Sequence, residues 1–242
     1  MKPDKISLPD WNILKEKYAD NLEEVLRKIA DGYPVQYLIG NVEFLNTIIN
    51  VDERVLIPRF ETETLVLKTI NYAKEKFNKK INIIDLGTGS GCIAIALSKN
   101  LNSNVTAIDI STDALELAQK NADLNSVVIN IKSQDMLDDL EDNYDIIISN
   151  PPYIPVDGYV DESVLKYEPH LALYAKDNGL FFYKGILKKH LKKLNKPGFM
   201  AFEIGDKEVE GLKEILKDYK ELKYSFEYDL TNRYRYLFIF NE

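Results

Sequence analysis

The chain has 242 residues, 45% hydrophobic and 29% charged, which allows one substantial core with room for a small extra subdomain. Its formal net charge of −8 disfavours a life on nucleic acid, where affinity comes mostly from Lys and Arg on phosphates, so no stable nucleic-acid binding is expected. One cysteine, Cys92, excludes an intrachain disulfide, Lys2, Asp4, Lys5 and Asp10 leave no apolar signal region, and no apolar run approaches the ~20 residues of a membrane helix, so the expectation is a cytoplasmic protein without a membrane partner.

Between residues 9 and 29, Trp11, Leu14, Tyr18, Leu22, Val25, Leu26 and Ile29 recur at three- and four-residue steps. That predicts one amphipathic helix, stopped near Asp31, Gly32 and Pro34. A β-rich stretch follows at 42–44, 47–51 and 55–57, ended by Pro58, and residues 61–77 read as a helix. From Ile81 onward the pattern alternates. Strands are expected at 81–86, 105–110, 127–131, 144–149 and 199–204. Helices are expected at 91–99, 112–124 (capped by Ser111 or Thr112), 179–194 and 208–219, with a loop from 150 to about 176. Such alternation implies a parallel sheet covered by helices on both faces. The tail breaks it: 222–230 and 234–240 are two strand-like runs joined by Thr231, Asn232 and Arg233, an antiparallel hairpin. Lys184, Lys188, Lys189, His190, Lys192, Lys193 and Lys196 alternate with Ile186, Leu187, Leu191 and Leu194 and read as the solvated face of a helix.

Asp85, Leu86, Gly87, Thr88, Gly89, Ser90 and Gly91 stand where a strand hands over to a helix. Glycines there let the backbone turn tightly and approach a ligand. Asp109 ends the next strand, about 20 residues further on, where an acid can accept both ribose hydroxyls of an adenosine group; the alternative is a cap for the following helix. Dinucleotide and methyl-donor sites share such loops, but the spacing here is Gly-x-Gly-x-Gly, not the Gly-x-Gly-x-x-Gly that seats a pyrophosphate. S-adenosyl-L-methionine has no phosphate. Asp135 can accept from an adenine amino group, with Met136 against the ring, or it is a plain turn residue. Cys92 opens the next helix, where the macrodipole can lower a thiol pKa, although a small residue there also permits close packing. His170 and His190 stand alone, and no metal is expected.

Asn150, Pro151, Pro152 and Tyr153 follow directly on the 144–149 strand. In a doubly wound sheet, loops at the carboxyl ends of strands line the ligand crevice, so this tetrapeptide faces the one bordered by Gly87 and Asp109. Its residue types suit one task. An amide or aromatic amino nitrogen is a poor nucleophile because its lone pair is delocalised. The Asn150 side-chain oxygen and a proline backbone carbonyl can each accept one N–H, which biases that nitrogen toward a tetrahedral shape. Tyr153 can stack on the planar acceptor, and the prolines remove competing N–H donors. Positioning and charge complementarity supply the acceleration.

With these segments, the sequence resembles the release-factor glutamine methyltransferases, whose members methylate the glutamine of the Gly-Gly-Gln loop in peptide chain release factors. The resemblance runs from Pro34 to the C-terminus. It rests on Pro34-Val35-Gln36-Tyr37-Leu38-Ile39-Gly40, on Leu56-Ile57-Pro58-Arg59 with Thr62-Glu63, on the glycine loop, on Asn150 to Tyr153, and on Glu168-Pro169 with Ala172-Leu173. It implies a class I methyltransferase fold: an α/β, doubly wound, mostly parallel seven-stranded sheet closed by the C-terminal antiparallel hairpin, plus a small N-terminal helical segment. The implied division is a helical segment at 1–33, a β-hairpin linker at 34–60 and the S-adenosylmethionine-dependent methyltransferase domain at 61–242. The resemblance also implies that Gly87, Thr88, Gly89, Ser90, Gly91, Asp109, Met136 and Asn150 contact S-adenosyl-L-methionine, which leaves as S-adenosyl-L-homocysteine. Asn150, Pro151, Pro152 and Tyr153 would hold the substrate glutamine of a release factor. Two features depart from the family pattern: position 136 is often aromatic there, and the N-terminal region here reads as one helix where relatives have a bundle.

Two rival readings remain. An adenine-N6 methyltransferase would use the same tetrapeptide on a flipped base, against the acidic balance. A nicotinamide-dependent oxidoreductase or a non-catalytic nucleotide-binding module explains neither Asn150 to Tyr153 nor the terminal hairpin.

Overall fold

A computed structural model describes residues 6–242, so the charges at Lys2, Asp4 and Lys5 that entered the reading of the chain start lie outside the described residues. The single helix expected at the N-terminus is two, α1 (Leu8–Lys17) and α2 (Leu22–Ala30). Tyr18 leaves helical geometry at φ −122° and ψ 35°, and Asn21 at φ −137° re-enters it, its amide donating to Glu24 at 2.6 Å. Apolar spacing carried across this turn, which is why periodicity alone joined the two. A third short helix, α3 (Val35–Ile39), completes the region. The Lys17 ammonium and the Tyr18 hydroxyl both donate to the Leu38 carbonyl, at 3.1 and 2.8 Å. Trp11, Leu14, Val25 and Leu38 form a small core of their own.

Strands β1 (Asn41–Phe44) and β2 (Thr47–Asn50) make the expected hairpin, turning through Leu45 and Asn46 at φ 44° and 61°. Residues 55–57 are not a strand. Val55 and Ile57 are buried, but the Ile57 N–H goes to the Glu168 carboxylate at 3.1 Å instead of a ladder partner. Helix α4 (Phe60–Lys76) then buries Leu65, Val66, Thr69, Ile70 and Ala73.

The main sheet follows: β3 (Ile81–Leu86), α5 (Cys92–Asn100), β4 (Ser103–Asp109), α6 (Thr112–Leu124), β5 (Asn130–Ser133) and β6 (Tyr144–Ser149). After an excursion holding β7 (Ile154–Pro155), α7 (Glu162–Tyr167) and β8 (Tyr174–Ala175) come α8 (Phe181–His190), β9 (Leu194–Glu203), α9 (Val209–Leu216), β10 (Lys223–Tyr228) and β11 (Tyr234–Asn241). The seven strands lie in the order β10-β11-β9-β6-β3-β4-β5, with β11 antiparallel to both neighbours and the others parallel. Alternate residues bury on opposite faces: Ile83, Ile146, Ile148 and Phe199 pack with α4, α5 and α6, whereas Ile84, Ile147, Met200 and Phe202 pack with α8 and α9. Doubly wound packing explains why these strands read as continuous apolar runs.

Three expectations shift. The strand placed at 127–131 begins at Asn130, because Ser126 turns at φ 55° and the Val127 N–H still bonds the Ala122 carbonyl of the helix exit. The 150–176 loop is partly ordered, with β7 pairing β8 in parallel, Ile154 opposite Tyr174. The helix expected over 179–194 is regular only across α8; Leu194 already pairs with Tyr144 in the sheet. His190 is fully buried and its Nε2 meets the Met136 carbonyl at 2.8 Å, so it belongs to the core face and not with the lysines. Burial lowers its pKa, the Met136 hydrogen bond opposing.

Candidate functional site

The order reverses between β3 and β6, and the loops leaving the carboxyl ends of β3, β4 and β6 meet there, where open α/β sheets place their ligands. The glycine loop after β3 is held from below. The Gly87 and Thr88 N–H groups both bond the Ile108 carbonyl at 2.9 Å, and the Thr88 hydroxyl donates to Asp85 at 2.6 Å. Asp85 is fully buried, and burial pushes its carboxyl up to about 7, the Thr88 hydrogen bond opposing. Gly87 has φ 75°, a backbone conformation that favours glycine, and a Cβ there would lie 2.7 Å from the Met136 methyl, which would have to swing aside. Gly89, at φ 52°, is different: a Cβ there would meet nothing within 4 Å, because it would project into open space beside the loop.

Asp109 closes this loop from the next strand. Its Oδ2 accepts the Gly89 N–H at 2.8 Å and its Oδ1 the Ser111 N–H at 2.9 Å, while the cap of α6 is the Ser111 side chain, accepting from Ala114. The helix-cap alternative for Asp109 is therefore taken by its neighbour. Each carboxylate oxygen keeps a lone pair for a further donor. Asp135 Oδ1 accepts from the Leu137 N–H at 2.8 Å, so it shapes a turn and also borders the cleft, with Met136 beside it. Cys92 lies under the loop, buried, its thiol pushed up to about 12 chiefly by burial, so it packs and is not activated. No group of three or more His, Cys, Asp or Glu able to hold a metal occurs among the described residues.

One cleft of about 1140 Å³, its open mouth included, is bordered by Gly87, Thr88, Gly89, Ser90, Asp109, Asp135, Met136, Asn150 and Pro152. Gly91, Pro151 and Tyr153 do not border it. Gly91 packs on Ala118 of α6, and Pro151 is buried behind its neighbours. Tyr153 borders an adjoining cleft, together with Asn150, Arg59, Asp161 and Glu203. Asn150 therefore stands at the join, facing both.

The two clefts are tied together at their join by long-range side-chain bonds. The Asn150 amide donates to the Thr62 hydroxyl at 3.1 Å, which donates to Glu203 Oε2 at 2.6 Å. The Tyr153 hydroxyl donates to Glu203 Oε1 at 3.3 Å, and Arg235 lies 3.5 Å from the Tyr153 oxygen. Glu203 is buried, and burial raises its carboxyl to about 7, the Thr62 hydrogen bond opposing. Tyr153 is pushed up by burial first and by Glu203 second. Behind Arg59, which borders both clefts, Glu168 is buried and takes the Ile57 N–H at 3.1 Å and the Arg59 guanidinium at 2.6 Å. That bond joins the segment before α4 to the one after α7.

Sequence reasoning did not place Thr62, Arg59, Glu168 or Glu203 in a site. A signal existed for Glu203, a lone acid closing the apolar run of β9, since an unpaired charge there would be costly. Thr62, Arg59 and Glu168 stood out only within the family-like segments.

A family model described as "Methyltransferase small domain" matches residues 62–165. The release factor glutamine methyltransferase of Lactococcus lactis subsp. lactis is 41% identical over 214 residues, spanning 86% of this chain and 78% of that one. The same-named protein of Flavobacterium psychrophilum is 41% identical over 226 residues, spanning 90% and 75%. Among solved structures, a methyltransferase from Pyrococcus furiosus superposes with a TM-score of 0.58 at 20% identity, covering 80% of this chain and 88% of that one. The ribosomal protein L11 methylase of Lactobacillus delbrueckii subsp. bulgaricus gives 0.53 at 23%, covering 78% and 82%. These two likenesses establish the fold as that of class I methyltransferases.

Proposed function

This chain belongs to the release factor glutamine methyltransferase family, and from that premise we propose that it transfers a methyl group from S-adenosyl-L-methionine to the side-chain amide nitrogen of a glutamine in a peptide chain release factor. The observation that carries this reading is the place of Asn150, at the join of two clefts, one beside the glycine loop and one beside Tyr153. A group transfer between two bound molecules needs such a shared corner.

The first cleft suits the donor. Open space beside Gly89 admits a ligand against the backbone, the Asp109 carboxylate can take ribose hydroxyls, and Met136 offers an apolar, polarisable face for a purine. Gly87, Thr88, Ser90 and Asp135 complete that wall, and Gly91 supports it from behind. When bound, S-adenosyl-L-methionine supplies a methyl group on a sulfonium, an electrophile that needs no metal. The chain's own residues do the rest. Asn150 Oδ1 and a carbonyl of Pro151 or Pro152 would each accept one N–H of the glutamine amide, drawing its nitrogen out of conjugation. Tyr153, anchored through its hydroxyl, would present its ring to the planar amide. The catalytic unit is 61–242, with 34–60 bracing it: Phe44, Ile49, Val55 and Ile57 share the core of the sheet. The small helical core runs past residue 33 to Leu38 of α3, and Tyr33 packs against both it and the core of the sheet.

The test is incubation of the purified enzyme with a release factor and isotopically labelled donor, followed by peptide mass spectrometry. One added methyl on the Gly-Gly-Gln glutamine is expected. Label absent from the release factor but present on adenine in DNA or RNA would replace this reading with the nucleobase one.

A further inference from the structure

Asn150 can meet a ligand in two ways, since its amide ends in an acceptor on one branch and two donors on the other. With Glu203 ionised, above its raised pKa of about 7, the fold leaves only one. Ionised Glu203 accepts and cannot donate, so the Thr62 hydroxyl, 2.6 Å away with a single proton, must donate to it. The Thr62 oxygen then has only lone pairs left for Asn150, 3.1 Å away, which forces the NH₂ branch of Asn150 toward Thr62. The planar amide thereby carries Oδ1 on its other branch. That oxygen has no hydrogen-bond partner among the described residues and is not sealed from the clefts. Thr62 is 3% and Glu203 2% exposed, so water does not compete for the bond between them.

We propose that Thr62 is a positioning residue that locks the Asn150 amide in the orientation presenting an acceptor, and that Glu203 sets the polarity of Thr62. The inference rests on the reading that Asn150 holds the acceptor nitrogen, and extends it to substrate choice. With the lock in place the corner accepts N–H groups and repels oxygen anions, which selects a carboxamide over a carboxylate of the same shape. Without it, Asn150 can rotate and offer N–H donors, and that selection weakens. The relay reaches across more than one element: Thr62 sits on the first turn of α4, Asn150 follows β6 and Glu203 ends β9.

Thr62→Val keeps the shape and removes the hydroxyl; Thr62→Ser keeps the hydroxyl and removes the methyl. Both are assayed with Asn150→Ala and wild type at about pH 8.5, where Glu203 is ionised, on a release factor substrate, with donor binding and melting temperature measured in parallel. Thr62→Val should lower kcat about tenfold, the worth of one ordinary hydrogen bond, with the donor Kd little changed. Thr62→Ser should restore most of that loss. A purely packing role predicts the reverse order, since Val fills the site and Ser leaves a gap. Equal kcat for Thr62→Val and wild type, with Asn150→Ala inactive, overturns the lock and leaves the Asn150 reading standing. Full turnover by Asn150→Ala overturns that reading itself. Should Thr62→Val fail to fold, Thr62→Ser and Thr62→Ala decide: the lock requires Ser to exceed Ala in kcat after correction for the fraction that binds donor, and equal values contradict it.

Discussion

The glycine-loop wall of the first cleft and the join of the two clefts at Asn150 are built differently. One wall of the cleft beside the glycine loop is made from short contiguous segments, a loop between β3 and α5, an acid at the end of β4 and a turn after β5, while Arg54 to Arg59, Thr62 and Pro169 close it from the other side. Its defining bonds are backbone N–H groups on carbonyls and on Asp109. The join with the cleft beside Tyr153 is made from side chains brought together from far apart, Thr62 to Glu203 through a buried bond and Arg59 to Glu168 through a part-buried one. A backbone-built wall tolerates change around it and is legible in a motif. A side-chain-built join fails when any single member is lost, because each buried partner is left unsatisfied.

That contrast can be broken at its join first. Asn150→Ala should slow methyl transfer about 10²–10³-fold, by analogy with loss of one oxyanion-hole group, while donor affinity changes far less. Stopped-time assays with labelled donor, alongside calorimetry, measure both; a parallel fall in donor affinity would place Asn150 with the donor cleft alone. Next is Asp109→Ala, which removes charge-assisted hydrogen bonds worth ~1.5–3 kcal/mol and should weaken donor binding about 10–100-fold. An unchanged donor Kd in calorimetric titration would move the ribose contact elsewhere.

The smallest effect concerns Glu203 and stability. Its folded carboxyl is raised from 4.5 to about 7, so between those values the native state holds a proton that the unfolded chain releases. Stability from this group is present below about pH 4.5 and is lost as pH rises toward 7. Tyr153, Arg235 and Glu61 also act on it, and Asp85 shifts in the same direction. Glu203→Gln should therefore flatten the decline of melting temperature between about pH 5 and 8 by a few degrees. Identical slopes for variant and wild type would take the decline away from Glu203 and leave Asp85 and Glu208, both raised by burial, as the buried carboxyls that could cause it.

The same contrast governs what the amino-acid sequence could reveal. Strands β3 and β6 and helix α6 read at their observed bounds because apolar runs and a Ser111 cap are local signals. Gly87, Gly89 and Asp109 border one cleft, and their spacing, which follows from one strand–turn–helix unit, is visible in the sequence. The N-terminal helix read as one because apolar periodicity continues through a turn that Asn21 and Tyr18 make. Val55 and Ile57 read as a strand because burial and alternation resemble one, while the true partner of Ile57 is a carboxylate 111 residues away. Thr62 and Glu203, separated by 141 residues, have no local signature of a shared bond.

The central claim is that the acceptor is a glutamine amide. Its most direct measurement offers the enzyme, under one set of conditions, a release factor with Gly-Gly-Gln, the same protein with Gly-Gly-Glu, and single- and double-stranded DNA, and follows labelled methyl transfer. Because the corner at Asn150 needs a neutral NH₂ with two hydrogens to donate, label should enter only the first, on the glutamine, and be nearly abolished by Asn150→Ala. Comparable labelling of the glutamate protein, or labelling of adenine with the release factor untouched, would contradict it.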